Sequence, residues 1–264
     1  MIALLKQIPS ETKIKKELKK VLFGKNIFCP HCHSRKVHVS EKRYRCKKCR
    51  RPFALLSNTW LGNIKISLRT LWALLWCWTQ QVPVLQTSKL CHVSDRTVYH
   101  WFRQFRINLP QFEPILKDEI QMDEAYFKKL SLIMAKQIGT NKLVHQFIFK
   151  NSVDKAEAAK FLFQFIQPKS KLHTDGSGIY CGINRFWQVK HKKDIHKKWE
   201  FGLTSEIEGI FGNLRTFIRR MYHHSTPEYL PEYVSEFCIR FSSPEIFISP
   251  LTYLENSISL VPTC

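Results

Sequence analysis

The sequence lacks any long apolar run. No stretch of 18 uncharged apolar residues occurs in its 264 positions, so no segment qualifies as a membrane-spanning helix. The first 20 residues have too short an apolar core and too many internal charges for a secretory signal peptide. We therefore expect a soluble, intracellular protein with no membrane partner.

Acidic residues are scarce. The chain has 21 Asp and Glu against 42 Lys and Arg, a formal net charge of +21. Because each phosphate neutralised by Lys or Arg releases condensed counterions, this excess predicts a polyanionic partner. Residues 1–120 hold 23 of the basic side chains and 7 of the acidic ones, so we expect this half to bind DNA or RNA. A basic membrane-surface protein is the alternative, but no long basic amphipathic helix is evident.

The nine cysteines are an odd number, and four of them are clustered. Without a secretory signal, that pattern favours metal ligation over disulfides. In "CPHCHSRKVHVSEKRYRCKKC", thirteen residues separate the pair Cys29 and Cys32 from the pair Cys46 and Cys49. Two such knuckles joined by a short β-hairpin form a tetrahedral site for structural Zn²⁺, which would supply the folding energy of so small a module. Chance cysteines or a redox pair are the alternatives.

The predicted ribbon is strongly basic. We expect it to contact nucleic acid through the cationic residues around its second knuckle, although a solvated basic surface is the alternative. The ribbon residues predicted to bind DNA are Lys47, Lys48 and Arg50.

The stretch "TSKLCHVSDRTVYHWFRQF" predicts two helices separated by "CHVS", with Ser94 as the N-cap of the second. Val98, Trp101 and Phe102 form the inward stripe of this second helix, which leaves another face for the major groove of DNA. An ordinary three-helix core is the alternative. The residues predicted on the DNA-facing side are Arg96, Thr97, His100 and Arg103.

Three acids lie where neighbouring elements are expected to converge. Asp123 ends a strand predicted in "IQMDEAYF", Asp175 ends another in "HTDGSGIY", and Glu208 lies in the first turn of a helix. Three such carboxylates suit two Mg²⁺ or Mn²⁺ ions that act on a phosphodiester, whereas a single Asp is more simply a solvated strand end or cap. Arg215, seven residues after Glu208, shares its helix face. Strand alternation predicts that Glu124 faces away and has no metal role.

The order of these motifs resembles the DDE-type insertion-sequence transposases with an N-terminal zinc ribbon, whose eukaryotic relatives are the Merlin DNA transposons. The resemblance spans residues 27–245 and includes "MDEAYF", "HTDGSGIY", "TSEIEGIFGNLRTFIRRMYHH" and "YLPEYVSEFCIRF". It implies an α/β, RNase H-like catalytic domain in which Asp123, Asp175 and Glu208 are the acidic triad and Arg215 is the basic residue that follows it. Family members commonly have Thr-Asn where this chain has Thr204-Ser205.

The motifs and the resemblance together divide the chain into five predicted segments. These are a basic N-terminal helix over 1–25, a zinc ribbon over 26–62, a helix-turn-helix region over 63–108, the catalytic domain over 115–245 and a C-terminal tail over 246–264.

The resemblance implies a transposase that binds terminal inverted repeats in double-stranded DNA, cleaves the element ends and joins them to target DNA. Such a protein works as a homodimer or a larger homo-oligomer, in the cytoplasm of a bacterium at the nucleoid, or in the nucleus of a eukaryotic host. Two alternatives remain at this point: a non-enzymatic DNA-binding regulator derived from a transposase, and a nuclease of the RNase H-like fold.

Overall fold

The computed structural model describes residues 8–40, 43–111, 113–127, 129–193, 204–223 and 226–260. These residues divide into two compact units. The first contains the described residues up to Pro110 together with those from Glu245 onwards, and the second runs from Gln111 to Pro244. Within these ranges, no helix combines the length and the apolarity that crossing a membrane requires.

The first unit begins with helix α1, Glu11–Phe23. The Ser10 side chain accepts a hydrogen bond from the Lys13 backbone N–H at 3.3 Å, which caps the helix, and Gly24 ends it at a positive φ of 62°. A small antiparallel sheet with the order β1-β2-β3 follows, and it includes both strands predicted for the ribbon. Its strands are β1 (Val37–Ser40), β2 (Arg43–Cys46) and β3 (Pro52–Phe53).

Four further α-helices lie in the described part of the first unit. Trp78 lies at its centre, fully buried, with its ring against those of Phe105, Phe247 and Tyr253. The helices are α2 (Leu68–Thr79), α3 (Val84–Cys91), α4 (Asp95–Ile107) and α8 (Pro250–Ser257). Helix α2 is apolar on nearly every side because α1, α3, α4 and α8 all pack against it.

The predicted C-terminal tail over 246–264 contains helix α8, which belongs to the core of the first unit. The Tyr253 hydroxyl donates to the Phe105 carbonyl at 2.8 Å, and the Trp60 indole N–H donates to the Ser257 carbonyl at 3.2 Å. The buried Tyr253 and the half-buried Trp60, each with its polar group hydrogen-bonded, therefore connect α8 to earlier residues of the same unit.

The second unit is built on a five-stranded mixed sheet with the order β6-β5-β4-β7-β8. Strands β4, β5 and β6 are antiparallel, whereas β7 is parallel to β4 and β8 is parallel to β7. The strands are β4 (Glu119–Phe127), β5 (Leu130–Gln137), β6 (Leu143–Ile148), β7 (Lys171–Thr174) and β8 (Lys190–Lys193). This sheet confirms the α/β class and the RNase H-like fold implied by the resemblance.

Among the described residues of this unit, three α-helices accompany the sheet: α5 (Lys155–Phe165), α6 (Ser205–Tyr222) and α7 (Leu230–Ser242). Helix α5 begins directly after Asp154, whose carboxylate caps it by accepting from the Glu157 N–H at 2.8 Å. Its residues Phe161 and Leu162 are fully buried in the same hydrophobic cluster as Ile120 of β4. Strands β5 and β8 were not predicted, because β5 is buried along its whole length and β8 is a short run of basic residues.

A buried charged network fixes helix α7. Glu236 is completely buried, and its two carboxylate oxygens accept from the Tyr222 hydroxyl at 2.6 Å and from the Arg240 Nε–H at 2.9 Å. Arg240 is itself only 9% exposed. Removing one partner would leave the other charge buried without compensation.

We therefore expect Glu236→Ala to lower the free energy of unfolding by about 3–5 kcal/mol. The same truncation at Glu228, an exposed carboxylate just before α7, is the matched control and should change little. Urea unfolding of the two variants measures the difference, and equal stabilities would contradict the assigned role of Glu236.

Candidate functional site

The four cysteines of the ribbon lie together. The Sγ atoms of Cys29 and Cys49 are 3.6 Å apart, as are those of Cys32 and Cys46, and all four sulfurs lie within 4.8 Å of one another. The Cys46 Sγ also accepts the backbone N–H of Lys48 at 3.3 Å. Four converging thiols are the donor set of a structural zinc site, so these residues fit Zn²⁺.

The arrangement of the ribbon also favours the thiolate form of one cysteine, which is the form that binds a metal ion. Backbone N–H groups, that of Cys49 first, lower the pKa of Cys46 to about 6, because they stabilise its thiolate. Burial raises the pKa of Cys29 to about 12, since it disfavours a charged sulfur. A bound cation would offset that penalty, because metal coordination deprotonates a thiol.

The predicted DNA-contacting residues of the ribbon lie at its second knuckle. Lys47, Lys48 and Arg50 are all exposed there. Arg50 adopts a positive φ of 62°, and its carbonyl accepts from the Arg45 side chain at 3.3 Å. The structure places the three cations on the surface, and their contact with DNA stays a prediction.

Helices α3 and α4 occupy the two positions predicted for a helix-turn-helix. Ser94 caps α4, since its hydroxyl accepts from the Thr97 N–H at 3.2 Å, and Val98 and Phe102 are fully buried as predicted. The Thr97 hydroxyl also bonds to that of Ser94 at 2.9 Å, which gives Thr97 a part in the cap. The remaining predicted residues of the outer face, Arg96, His100 and Arg103, are exposed.

In the second unit, parallel pairing brings two of the predicted acids together. Gln121 of β4 pairs with His173 of β7, so the continuing register places Asp123 beside Asp175, although they are 52 positions apart in sequence. The Asp175 Oδ1 accepts from the Ser177 N–H at 3.0 Å, which fixes that carboxylate at the turn.

Glu124 lies in the same cluster, so the prediction that it faces away from Asp175 is wrong. Oxygens of Asp123, Glu124 and Asp175 lie within 4.8 Å of one another. The reason lies in side-chain reach and in a partner that strand alternation does not show, because the Tyr180 hydroxyl donates a hydrogen bond to Glu124 Oε2. The Tyr126 hydroxyl donates to the other oxygen at 3.2 Å. No pattern in the sequence indicated these two contacts.

The cluster is electrostatically costly without a cation. Burial first, and then the charges of Glu124, Asp175 and Glu208, raise the pKa of Asp123 to about 7. Burial likewise raises the pKa of Glu124. Closely placed carboxylate oxygens are the ligands that Mg²⁺ and Mn²⁺ prefer, and a divalent cation would offset their repulsion, so these residues fit such an ion.

Helix α6 carries the other two predicted catalytic residues, Glu208 and Arg215, both exposed. Among the residues that the structure describes, Glu208 is not part of the 4.8 Å cluster, although its charge contributes to the raised pKa of Asp123. Its carboxylate accepts from the Thr204 hydroxyl at 3.0 Å. The structure therefore brings Asp123 and Asp175 together, whereas Glu208 lies outside their cluster.

Two contacts fix the start of α6 against the sheet. The Ile207 N–H donates to Oε1 of the buried Gln121 at 3.0 Å, and Glu206 forms an ion pair with Lys136 of β5. The position of Glu208 thus depends on the strand that also carries Asp123.

Two family models match the sequence. Residues 9–52 match a transposase zinc-ribbon domain, and residues 128–242 match an ISXO2-like transposase domain. The second match contains Asp175, Glu208 and Arg215 and begins five residues after Asp123. A search of curated proteins finds no match.

Two solved structures share a distant likeness with the chain. One is a simian T-cell lymphotropic virus intasome in complex with PP2A regulatory subunit B56 gamma, with a TM-score of 0.36 and 14% identity over 64% of this chain and 67% of that one. The other is the catalytic core domain of BIV integrase, with a TM-score of 0.35 and 13% identity over 47% of this chain and 82% of that one.

The two family matches occur in the order that the sequence motifs predict. Two segments of the chain therefore match, in this order, a transposase zinc-ribbon domain and an ISXO2-like transposase domain, which confirms the resemblance of the chain to the DDE-type insertion-sequence transposases with an N-terminal zinc ribbon.

Proposed function

We propose that this protein is a DNA transposase that cuts the ends of its own element and joins them to target DNA. The observation that carries the proposal is the placement of Asp123 beside Asp175, on parallel strands of a unit that contains a transposase domain. Converging carboxylates in a chain of net charge +21 suit a reaction at the phosphates of a polyanion.

In this proposal, the first unit binds double-stranded DNA at the terminal inverted repeats. The exposed face of α4 enters the major groove, where Arg96, His100 and Arg103 contact base edges or phosphates. Exposed Lys47, Lys48 and Arg50 of the ribbon contact the backbone, and their charge makes binding sensitive to salt.

The second unit performs the chemistry. Asp123 and Asp175 would hold divalent ions, Glu208 completes the acidic set, and Arg215 clamps a neighbouring phosphate. When bound, such ions would supply activation of the attacking oxygen and stabilisation of the leaving oxygen of an in-line displacement. In the first step, a water oxygen forms a bond to phosphorus as the bond to the 3′ oxygen of the element end breaks. In the second, that 3′-OH attacks a target phosphodiester and displaces the target's own 3′ oxygen.

Joining two element ends requires that both be held at once, so we propose that a homodimer or a larger assembly forms on DNA. The proposed place of action is where the element lies, at the bacterial nucleoid or in a eukaryotic nucleus.

Two alternatives make different predictions. A non-enzymatic regulator would bind the inverted repeats without cutting them, and the neighbouring Asp123 and Asp175 argue against it. A nuclease of the same fold would cut but never join. A strand-transfer assay that detects joined products separates the transposase from both.

The structural zinc provides the first test. Cys46→Ser should lose the metal and weaken DNA binding, because one of four ligands is removed from a module that depends on the ion for folding. Cys181→Ser, which alters an exposed cysteine outside the ribbon, should keep stoichiometric zinc in metal analysis of the purified protein. Full zinc content in the Cys46 variant would overturn the assignment.

The exposed face of α4 provides the second test. Arg96→Ala should cost about 1–3 kcal/mol of binding free energy if the side chain contacts a base, or lower the salt slope by about one if it contacts a phosphate. Arg69→Ala on α2 removes the same exposed charge elsewhere in the unit and serves as the control. Unchanged footprints on the terminal repeats after joint replacement of Arg96, His100 and Arg103 would contradict the proposal.

The third test addresses catalysis. Asp123→Asn should abolish both cleavage and joining with Mg²⁺ or Mn²⁺, yet preserve DNA binding or tighten it, since a negative charge near the phosphates is lost. Asp118→Asn makes the same change at an exposed carboxylate just before β4 and should remain active. Cleavage at the normal rate by the Asp123 variant would exclude this residue from the reaction.

A further inference from the structure

We propose that Glu124 is an additional metal-binding carboxylate of the acidic cluster and that Tyr180 is the residue that positions it. This inference rests on the proposed function, because it concerns the divalent ions of the same site. It goes beyond the acidic triad implied by the resemblance, in which the residue next to Asp123 has no role.

The positions of the carboxylates support Glu124 more directly than Glu208. Among the described residues, Asp123, Glu124 and Asp175 are the carboxylates whose oxygens lie within 4.8 Å of one another. One cation can therefore contact all three with small side-chain adjustments. The backbone N–H of Glu124 also donates to Asp123 Oδ1 at 2.8 Å, and this hydrogen bond holds the Asp123 carboxylate close to Glu124.

Tyr180 is well suited to orient Glu124. It ends the short 3₁₀ helix Gly178–Tyr180, which follows the Asp175 turn directly, and its side chain is fully buried in the core of the second unit. Packing therefore fixes the hydroxyl that donates to Glu124 Oε2. One short segment thus supplies both a carboxylate of the cluster and the donor that draws another carboxylate towards it.

The hydrogen bonds leave Glu124 able to bind a cation. An ionised carboxylate offers about four lone-pair sites, and here two of them accept hydrogen bonds, from the hydroxyls of Tyr180 and of the more exposed Tyr126. The remaining sites are available to a metal ion. This arrangement is typical of metal ligands, whose orientation is set by outer hydrogen-bond partners.

A purely structural role for Glu124 predicts a different response to mutation. Glutamine keeps a side-chain oxygen that accepts from Tyr180 but removes the negative charge. If Glu124 served only as the acceptor for a buried tyrosine, Glu124→Gln would leave metal binding unchanged. If it binds the cation, the same substitution weakens metal binding.

The experiment measures Mn²⁺ binding to the full-length, zinc-loaded protein without DNA, by electron paramagnetic resonance of the free ion. We expect Glu124→Gln and Asp123→Asn each to weaken binding by at least tenfold, and Tyr180→Phe by about 10–100-fold, as loss of an outer partner typically does. Tyr126→Phe should have a smaller effect, because its hydroxyl lies at an exposed position.

Tyr222→Phe is the matched control. It also removes a hydroxyl that donates to a buried glutamate of the second unit, Glu236, but away from the acidic cluster. It should bind Mn²⁺ like the unmodified protein. Thermal unfolding of every variant establishes that the fold is kept, and Glu124→Gln tests the inference even if Tyr180→Phe is unstable.

The outcomes separate this inference from the proposed function. Normal Mn²⁺ binding by the Glu124 and Tyr180 variants, together with weak binding by Asp123→Asn, would overturn the role of Glu124 and leave the proposed function intact. Normal binding by all three would reject the acidic cluster as a metal site altogether. Weak binding by all three, with normal binding by Tyr222→Phe, supports the inference whether or not joining is detected.

Discussion

The parallel pairing of β4 with β7 is the constraint on which the catalytic unit depends. It sets Gln121 opposite His173 and thereby places Asp123 beside Asp175. The same strand contributes Gln121 Oε1, which accepts from Ile207 and anchors the start of α6, where Glu208 lies. A one-residue slip of β4 would turn every side chain to the other face of the sheet and separate the acids. The extensive burial around β4 and β5 is what prevents such a slip.

The carboxylates of the acidic cluster repel one another, and the surrounding structure nevertheless holds them close together. Burial and neighbouring charges raise the pKa of Asp123 to about 7, so its carboxyl is readily protonated near neutral pH when no cation is present. A divalent ion reverses this preference, because it favours the ionised carboxylates that ligate it. The acidic cluster thus favours a bound divalent cation, which the chain itself does not supply. Such a cation agrees with the proposed chemistry at a phosphodiester.

In the first unit the main constraint is different, because the ribbon is too small to be stabilised by a large hydrophobic core. The ribbon buries few side chains, and its four sulfurs take the place of a hydrophobic core. By contrast, helices α2 and α8 pack around Trp78 and Tyr253 and resemble the interior of a larger protein. The excess of basic residues lies largely in this unit, whereas most acids lie in the other. Proposed DNA binding and proposed chemistry are therefore separated along the chain.

The sequence by itself determined the features that depend on local spacing. The two cysteine pairs and the Ser94 cap with its buried stripe were predictable, because each depends on residues close together in the sequence, and the order of the acidic blocks was recognisable through the family resemblance. Tertiary structure decided the rest. Strand β5 is buried throughout and shows no alternation, α8 is held by aromatic residues far away in sequence, and Glu124 is turned by the hydroxyl of Tyr180, 56 positions later. Such outcomes depend on long-range pairing and burial, which local periodicity does not encode.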